Sequence, residues 1–204
     1  MRFPSKRNEV CLEGGRIVKR YRKRETCLRE AQALQLLYRS GLLVPALLGQ
    51  DEYCLTLEYI PGETYADLTE DMTWAQAEAL SRWLAKYHEI TGCLRGDVNL
   101  RNFLWTNGRC VGVDFEDPST PGPREVDLGR VLAFAATYRP SFSANKARSA
   151  KLLLNAFLRT KAEYKRIRDA YLDEISAINQ RRAADPASLT EAGLFFAALT
   201  SKEV

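Results

Sequence analysis

The stretch from Leu94 to Glu116, LRGDVNLRNFLWTNGRCVGVDFE, leaves this chain few ways to fold. Two short apolar runs, Phe103-Leu104-Trp105 and Cys110-Val111-Gly112-Val113, flank the dipeptide Asn107-Gly108. Both turn residues tolerate positive φ, so the pattern predicts a tight hairpin. Asp97 and Asn102 stand five positions apart in the loop before it, and Asp114 leaves the end of its second strand. The hairpin folds the chain back and sets Asp114 beside Asn102. A carboxylate and a carboxamide oxygen that converge suit Mg²⁺, a hard cation that shares oxygen ligands with substrate phosphates. Taken singly, an Asp or Asn in a loop is more often a turn former, so the features on either side decide the reading.

Upstream, Val10-Cys11-Leu12 and Ile17-Val18-Lys19 flank Glu13-Gly14-Gly15-Arg16, a hairpin pattern with Lys19 among apolar neighbours. Glu25 to Ser40 is helix-forming, with Ala31, Leu34, Leu37 and Tyr38 at helical spacing and Gly41 as the stop. Val44 to Leu48 and Cys54 to Tyr59 read as strands around the turn Gln50-Asp51-Glu52, and Pro61-Gly62 breaks the second. Thr73 to Thr91 is amphipathic, with Thr73 and Gln76 as a capping box, Trp74, Ala77, Leu80, Leu84 and Tyr87 on one face, and Gly92 at its end. Trp74 and Trp83 fit a core role. The remainder is helical: Lys146 to Leu158, then Thr160 to Arg182 behind a Thr160/Glu163 box, then a last helix capped by Ser188 and Glu191.

The 204 residues allow one compact unit or two small lobes about a cleft. No apolar run approaches the ~20 residues that span a bilayer, and the start, MRFPSKRNEV, lacks an apolar signal core, so a cytoplasmic protein is expected. Five scattered cysteines without a CxxC pair fit reduced thiols and argue against a zinc site. The lone histidine, His88, excludes multi-histidine metal chemistry and fits a packing or surface role. Net charge is +4, with basic clusters between Arg16 and Arg29 and between Lys146 and Arg182. Such clusters attract anionic partners, but a solvated face is the reading preferred for most of them; nucleic acid is therefore a partner the charge permits without favouring.

The ordered set RGD-VNLR-N, hairpin, DFE resembles the catalytic core of the protein-kinase-like superfamily. The Gly before Asp97 and the acidic residue after Asp114-Phe115 look more like aminoglycoside phosphotransferases, choline kinases and their small relatives than like eukaryotic protein kinases. That resemblance implies an α+β, two-lobed protein-kinase-like fold: a single kinase-like domain over residues 1–204, with a small antiparallel-sheet N-lobe carrying one helix (about 1–60) and a mainly helical C-lobe (about 61–204). It gives Lys19 the strand position that binds the α- and β-phosphates of ATP, with Arg20, Arg22 and Lys23 as nearby alternatives. Glu30, within LREAQALQLL, becomes its helix partner, with Glu25 the runner-up. LEYIPGETY resembles the hinge, where the backbone of Glu58 to Ile60 would meet the adenine edge. Asp127, in DLGRVLAF, would brace the catalytic loop. A full glycine-rich loop is absent, and Ser5-Lys6-Arg7-Asn8 is the candidate for a shortened phosphate cover.

The resemblance implies an ATP-dependent phosphotransferase with a small-molecule or glycan acceptor. Asp97 would be the base, and Asn102 and Asp114 would bind Mg²⁺. Only twelve residues separate Asp114 from Asp127, too few for a long regulatory activation loop. Arg95, where the relatives usually carry His, and the basic helices point toward an anionic acceptor such as a phosphorylated sugar. Two alternatives stay open. LREAQALQLL and LEYIPGETY also resemble the compact atypical kinase of the tRNA threonylcarbamoyl-modification complex, which implies a kinase or ATPase working with a protein or RNA partner. A pseudokinase binding module is the other. The sequence leaves acceptor, nucleotide preference and oligomeric state open.

Overall fold

A computed structural model describes residues 1–3, 7–181 and 188–200. The first part of the chain builds a five-stranded antiparallel sheet in the order β1-β2-β3-β5-β4. Its strands are β1 (Arg2–Phe3), β2 (Glu9–Glu13), β3 (Arg16–Arg20), β4 (Leu47–Gln50) and β5 (Cys54–Glu58). The β2–β3 hairpin closes at Glu13↔Arg16 over Gly14 and Gly15, both at positive φ, which a two-residue turn requires. Lys19 pairs with Val10 on one side and Leu55 on the other, so it lies in the middle of the sheet. The helix α1 (Arg24–Arg39) covers this sheet with Cys27, Ala31, Leu34 and Leu37, and it buries Glu30 among them. Tyr38, placed on that face by spacing, is exposed instead. The strand expected from Val44 begins only at Leu47, because Pro45 has no amide to give a ladder. Gln50 belongs to that strand, paired with Leu55, rather than to the turn.

A second, three-stranded sheet joins β6 (Glu63–Thr64), β7 (Phe103–Thr106) and β8 (Arg109–Gly112). The β7–β8 hairpin closes at Thr106↔Arg109, with Asn107 at φ 49° and Gly108 at φ 74°, as the Asn-Gly pair predicts. Gly112 lies flat on the Trp83 ring; a Cβ there would stand 2.2 Å from a ring carbon. Trp83 comes from α2 (Trp74–Thr91), whose Thr73/Gln76 capping box and left-handed Gly92 cap both form. Trp83 is core, its indole N–H donating to the Leu43 carbonyl at 2.8 Å. Trp74 is only half-buried and carries the Arg159 guanidinium over its ring.

The rest is helical: α3 (Glu125–Thr137), α4 (Ala144–Arg159), α5 (Tyr164–Arg181) and α6 (Leu189–Ala198). Gly129 lets α3 approach α5 until a Cβ would stand 2.6 Å from the Tyr171 amide nitrogen. Ser188 caps α6 as expected, accepting from the Glu191 amide. The Thr160/Glu163 box does not form. Thr160 ends α4, its hydroxyl donating to the Phe157 carbonyl, and the Glu163 amide donates to the buried Glu125 carboxylate of α3. A tertiary carboxylate has replaced the local cap. Lys146, counted with a solvated basic cluster, is 1% exposed; its ammonium bonds Glu70 at 2.6 Å and the Pro140 carbonyl at 2.7 Å. All five cysteines are free thiols. Among the described residues no helix is long and apolar enough to cross a membrane. The architecture is mixed α+β, an antiparallel sheet followed by a mostly helical remainder.

Candidate active site

The sheet and the β7–β8 hairpin face each other across a cleft of about 560 Å³. Val10, Ile17, Leu57, Ile60, Leu104 and Val113 give it apolar walls, and Lys19, Glu30, Asp97, Asn102, Asp114 and Glu116 gather in the same cleft. Lys19 is 6% exposed. Its ammonium bonds Glu30 Oε2 at 2.8 Å and Asp114 Oδ1 at 2.6 Å. Burial works against the charge, yet the two carboxylates outweigh it and hold the lysine above its ordinary pKa. Glu30 is itself fixed: Oε2 also accepts from the Tyr21 hydroxyl at 2.6 Å and Oε1 from the Phe115 amide at 3.1 Å. The geometry therefore selects Lys19 over exposed Arg20, Arg22 and Lys23, and Glu30 over exposed Glu25.

Opposite them, Asp97 accepts from the Asn102 side-chain amide at 2.9 Å and from the Asn99 backbone at 3.3 Å. With its nitrogen on Asp97, the Asn102 carboxamide keeps its oxygen for another partner. The Val113 amide donates to the Asn102 carbonyl at 2.9 Å, so the hairpin base ties Asp114 to Asn102 as expected. Asp114 sits at φ 64°, which is costly for a residue with a Cβ. Arg95 holds that bend. Its guanidinium, 4.4 Å from the centre of the Phe115 ring, donates to the carbonyls of Val113 and Asp114 at 2.7 Å each. Arg95 is 2% exposed and turned inward, so it cannot meet an acceptor, contrary to the expectation from sequence.

Asp127 braces the loop. Its carboxylate accepts from the amides of Arg95 (2.7 Å) and Gly96 (3.1 Å), and His88 Nε2 lies 2.8 Å from it. Sequence reasoning gave His88 no such part; its spacing on α2 carried no sign of a partner on α3. Tyr21, Arg29 and Glu116 were also missed. Glu116 is nearly buried; burial lifts its carboxyl above the usual range, Lys19 opposes this, and Asp114 and Glu30 reinforce it. Its carboxylate accepts from the Asn8 side-chain amide, and its carbonyl accepts from Arg29 at 3.0 Å. Arg7 bonds the neighbouring Asp117 at 2.6 Å. Of the predicted phosphate cover, Ser5 and Lys6 lie outside the described residues, while Arg7 and Asn8 reach the segment after Asp114.

Glu58 and Ile60 line the cleft at the end of β5. The Glu58 amide donates to the Ala46 carbonyl at 2.9 Å, and its carboxylate accepts from the Ala46 amide at 3.1 Å, which ties this residue to the start of β4. Glu30, Asp114 and Glu116 also offer oxygens within 4.8 Å of one another. Glu30, however, is already committed to three donors, and the Lys19 ammonium stands among the group. The oxygens of Asp114 and Asn102 are the better match to a hard cation.

A buried strand lysine thus reaches over the cleft to the aspartate at a hairpin's end. A family model described as the phosphotransferase enzyme family matches residues 10–95. The probable serine/threonine-protein kinase BUD32 homolog of Archaeoglobus fulgidus is 33% identical over 108 residues, 49% of this chain and 53% of that protein. The chain thus spans about half the length of that curated relative. Among solved structures, the streptomycin–ATP–APH(2'')-IIa ternary complex superposes with a TM-score of 0.67 at 16% identity, covering 86% of this chain and 82% of that one. A choline/ethanolamine kinase family protein from Mesorhizobium loti gives 0.62 at 15%, covering 98% and 86%. These likenesses show a protein-kinase-like fold.

Proposed function

We propose that this chain is an ATP-dependent phosphotransferase that moves the γ-phosphoryl group to a hydroxyl of a small molecule or glycan. The carrying observation is the buried Lys19 bridging Glu30 and Asp114 at one side of an apolar cleft, with the Asp97–Asn102 pair opposite. Read as one kinase-like domain, the chain has its N-lobe over about residues 1–60 and its C-lobe from about residue 61 onward. The backbone of Glu58 to Ile60 meets the adenine edge, and the apolar walls take its faces. Lys19 reaches the α- and β-phosphates, with Glu30 fixing its position and charge. Asn102 and Asp114 would hold Mg²⁺, which when bound would neutralise charge on the phosphates. Asp97 orients the acceptor hydroxyl and takes its proton as the oxygen bonds to the γ-phosphorus. The bond from that phosphorus to the β–γ bridging oxygen breaks, and ADP leaves. The ATP- and ADP-bound aminoglycoside phosphotransferases among the structural neighbours support the nucleotide part of this reading.

The test is thermal stability with ATP, with and without Mg²⁺, beside Asp114→Ala. A Mg²⁺-dependent rise lost in the variant, followed by acceptor-stimulated ADP release, supports the reading. No rise at millimolar ATP moves the protein to the binding-module alternative. A second reading rests on the Archaeoglobus fulgidus relative: a kinase or ATPase that works with a protein or RNA partner. Steeply salt-dependent binding of tRNA favours it, and none at low salt counts against it.

A further inference from the structure

Among the described residues three basic side chains line the cleft: Arg7, Lys19 and Arg101. Two are neutralised within the protein, Lys19 by Glu30 and Asp114 and Arg7 by Asp117. Arg101 is different. Among the described residues it has no carboxylate partner, and it is exposed to the cleft. It is nevertheless held. The Asn99 side-chain oxygen accepts from the Arg101 backbone amide at 3.0 Å and from the Tyr138 hydroxyl at 2.8 Å. Those bonds fix the Tyr138 ring, and the guanidinium stands 5.8 Å from its centre. A ring face steadies a cation without neutralising it.

The position matters as much as the charge. Arg101 precedes Asn102 on the 3-10 turn Leu100–Asn102, and Asn102 bonds Asp97. Tyr138 follows α3, so Arg101 leans on the helical part rather than on the sheet that carries Lys19. With a nucleotide against the sheet, an acceptor hydroxyl has to reach Asp97 from this helical side. We propose that Arg101 is the acceptor-recognition residue and that the acceptor is an alcohol carrying an oxyanion, a phosphate or a carboxylate. The planar fork of arginine matches either group with two parallel hydrogen bonds. The same charge repels cationic alcohols. This inference rests on the phosphotransferase reading for its acceptor and assigns the anion preference to one residue.

Anion binding is read as thermal stabilisation of the full chain by glycerol 3-phosphate, glycerate, glycerol and choline, each with and without Mg²⁺ and a non-hydrolysable ATP analogue. With the analogue bound, glycerol 3-phosphate or glycerate raises the melting temperature, and glycerol and choline do not. Comparing the first two separates phosphate from carboxylate. Arg101→Gln increases the anion concentration for half the effect roughly 10-fold or more, the loss of a charge-assisted contact, and Arg101→Lys recovers part of it. The proposal is overturned if no anion stabilises the wild type, if choline or glycerol does so equally, or if the response survives in Arg101→Gln. The analogue's own effect, and its loss in Asp114→Ala, report on the phosphotransferase reading separately. If the analogue fails to bind, the anion titration without it still decides the role of Arg101.

Discussion

Arg95 holds Asp114 by its backbone: one guanidinium nitrogen bonds the carbonyls of Val113 and Asp114, both at 2.7 Å. The left-handed turn at Asp114 points its carboxylate at Lys19, and the two carbonyls it turns inward need a buried donor. Arg95→Met leaves both unpaired, at a cost of about 2 kcal/mol. That lowers the melting temperature by roughly 4–8 °C for a chain of this size. The Mg²⁺-ATP-dependent rise should shrink as well. Circular-dichroism melts with and without Mg²⁺-ATP check both; an unchanged nucleotide response would separate Arg95 from the set of Asp114.

In the proposed reaction Asp97 takes the proton and has no part in holding the nucleotide. Asp97→Asn should lower turnover by roughly 10²–10⁴-fold while nucleotide affinity stays nearly constant. Single-turnover phosphoryl transfer beside a nucleotide titration tests this. Equal turnover in the variant would remove Asp97 from the mechanism.

Glu30 serves three donors, those of Lys19, Tyr21 and Phe115, from a nearly inaccessible site, while Glu25 is exposed. Glu30→Ala therefore leaves a buried ammonium with Asp114 and the more distant Glu116, at 4.0 Å, and costs about 3 kcal/mol. Glu25→Ala changes stability by no more than about 0.5 kcal/mol. Denaturant midpoints of the two variants should separate clearly; coincident midpoints would mean that Asp114 and Glu116 suffice for Lys19.

The buried Lys146 predicts an acid limb. Its hydrogen bond, opposed by partial desolvation and aided by Ser143, holds the Glu70 carboxyl below the usual range. A group whose pKa is lowered on folding adds stability above its unfolded value, and that stability goes as pH falls through the folded value. Wild type should thus lose stability below about pH 4.5 from this pair. Glu70→Gln should be less stable at neutral pH, because the buried Lys146 ammonium then has only neutral oxygens to balance its charge, and it should lose less on acidification. Urea midpoints of both proteins between pH 3 and pH 7 give the comparison; parallel curves refute the assignment.

Gly112 meets the Trp83 ring where a Cβ would overlap it. Gly112→Ala should destabilise by about 1–3 kcal/mol through overpacking. Because Gly112 ends β8 two residues before Asp114, nucleotide-dependent stabilisation should fall too. A fully stable variant would show that Trp83 can move aside.

Local chemistry was legible wherever its partners lay close in sequence. Asn107-Gly108 announced a two-residue turn, Thr73 and Gln76 a cap, and Gly92 a helix end, and each formed because a few neighbouring dihedrals settle it. The Thr160/Glu163 pattern was just as explicit and failed, because the buried carboxylate of Glu125 took the Glu163 amide first. Lys146 and Arg95 misled for the same reason. A basic residue looks like surface until the chain brings it a carboxylate from 76 positions away or two carbonyls from 18 and 19 away.

The order of Lys19, Glu30, Asp97, Asn102 and Asp114, and the hairpin that turns Asp114 back toward Asn102, were therefore fixed by the sequence alone through local periodicity and turn chemistry. Which lysine and which glutamate pair, that His88 and Arg95 hold the loop, and that Arg101 has no carboxylate partner among the described residues were decided only by the tertiary structure. Burial raises the cost of every unpaired charge and polar group. Partners are therefore chosen by what the fold brings together in the interior, and spacing along the chain does not record that choice.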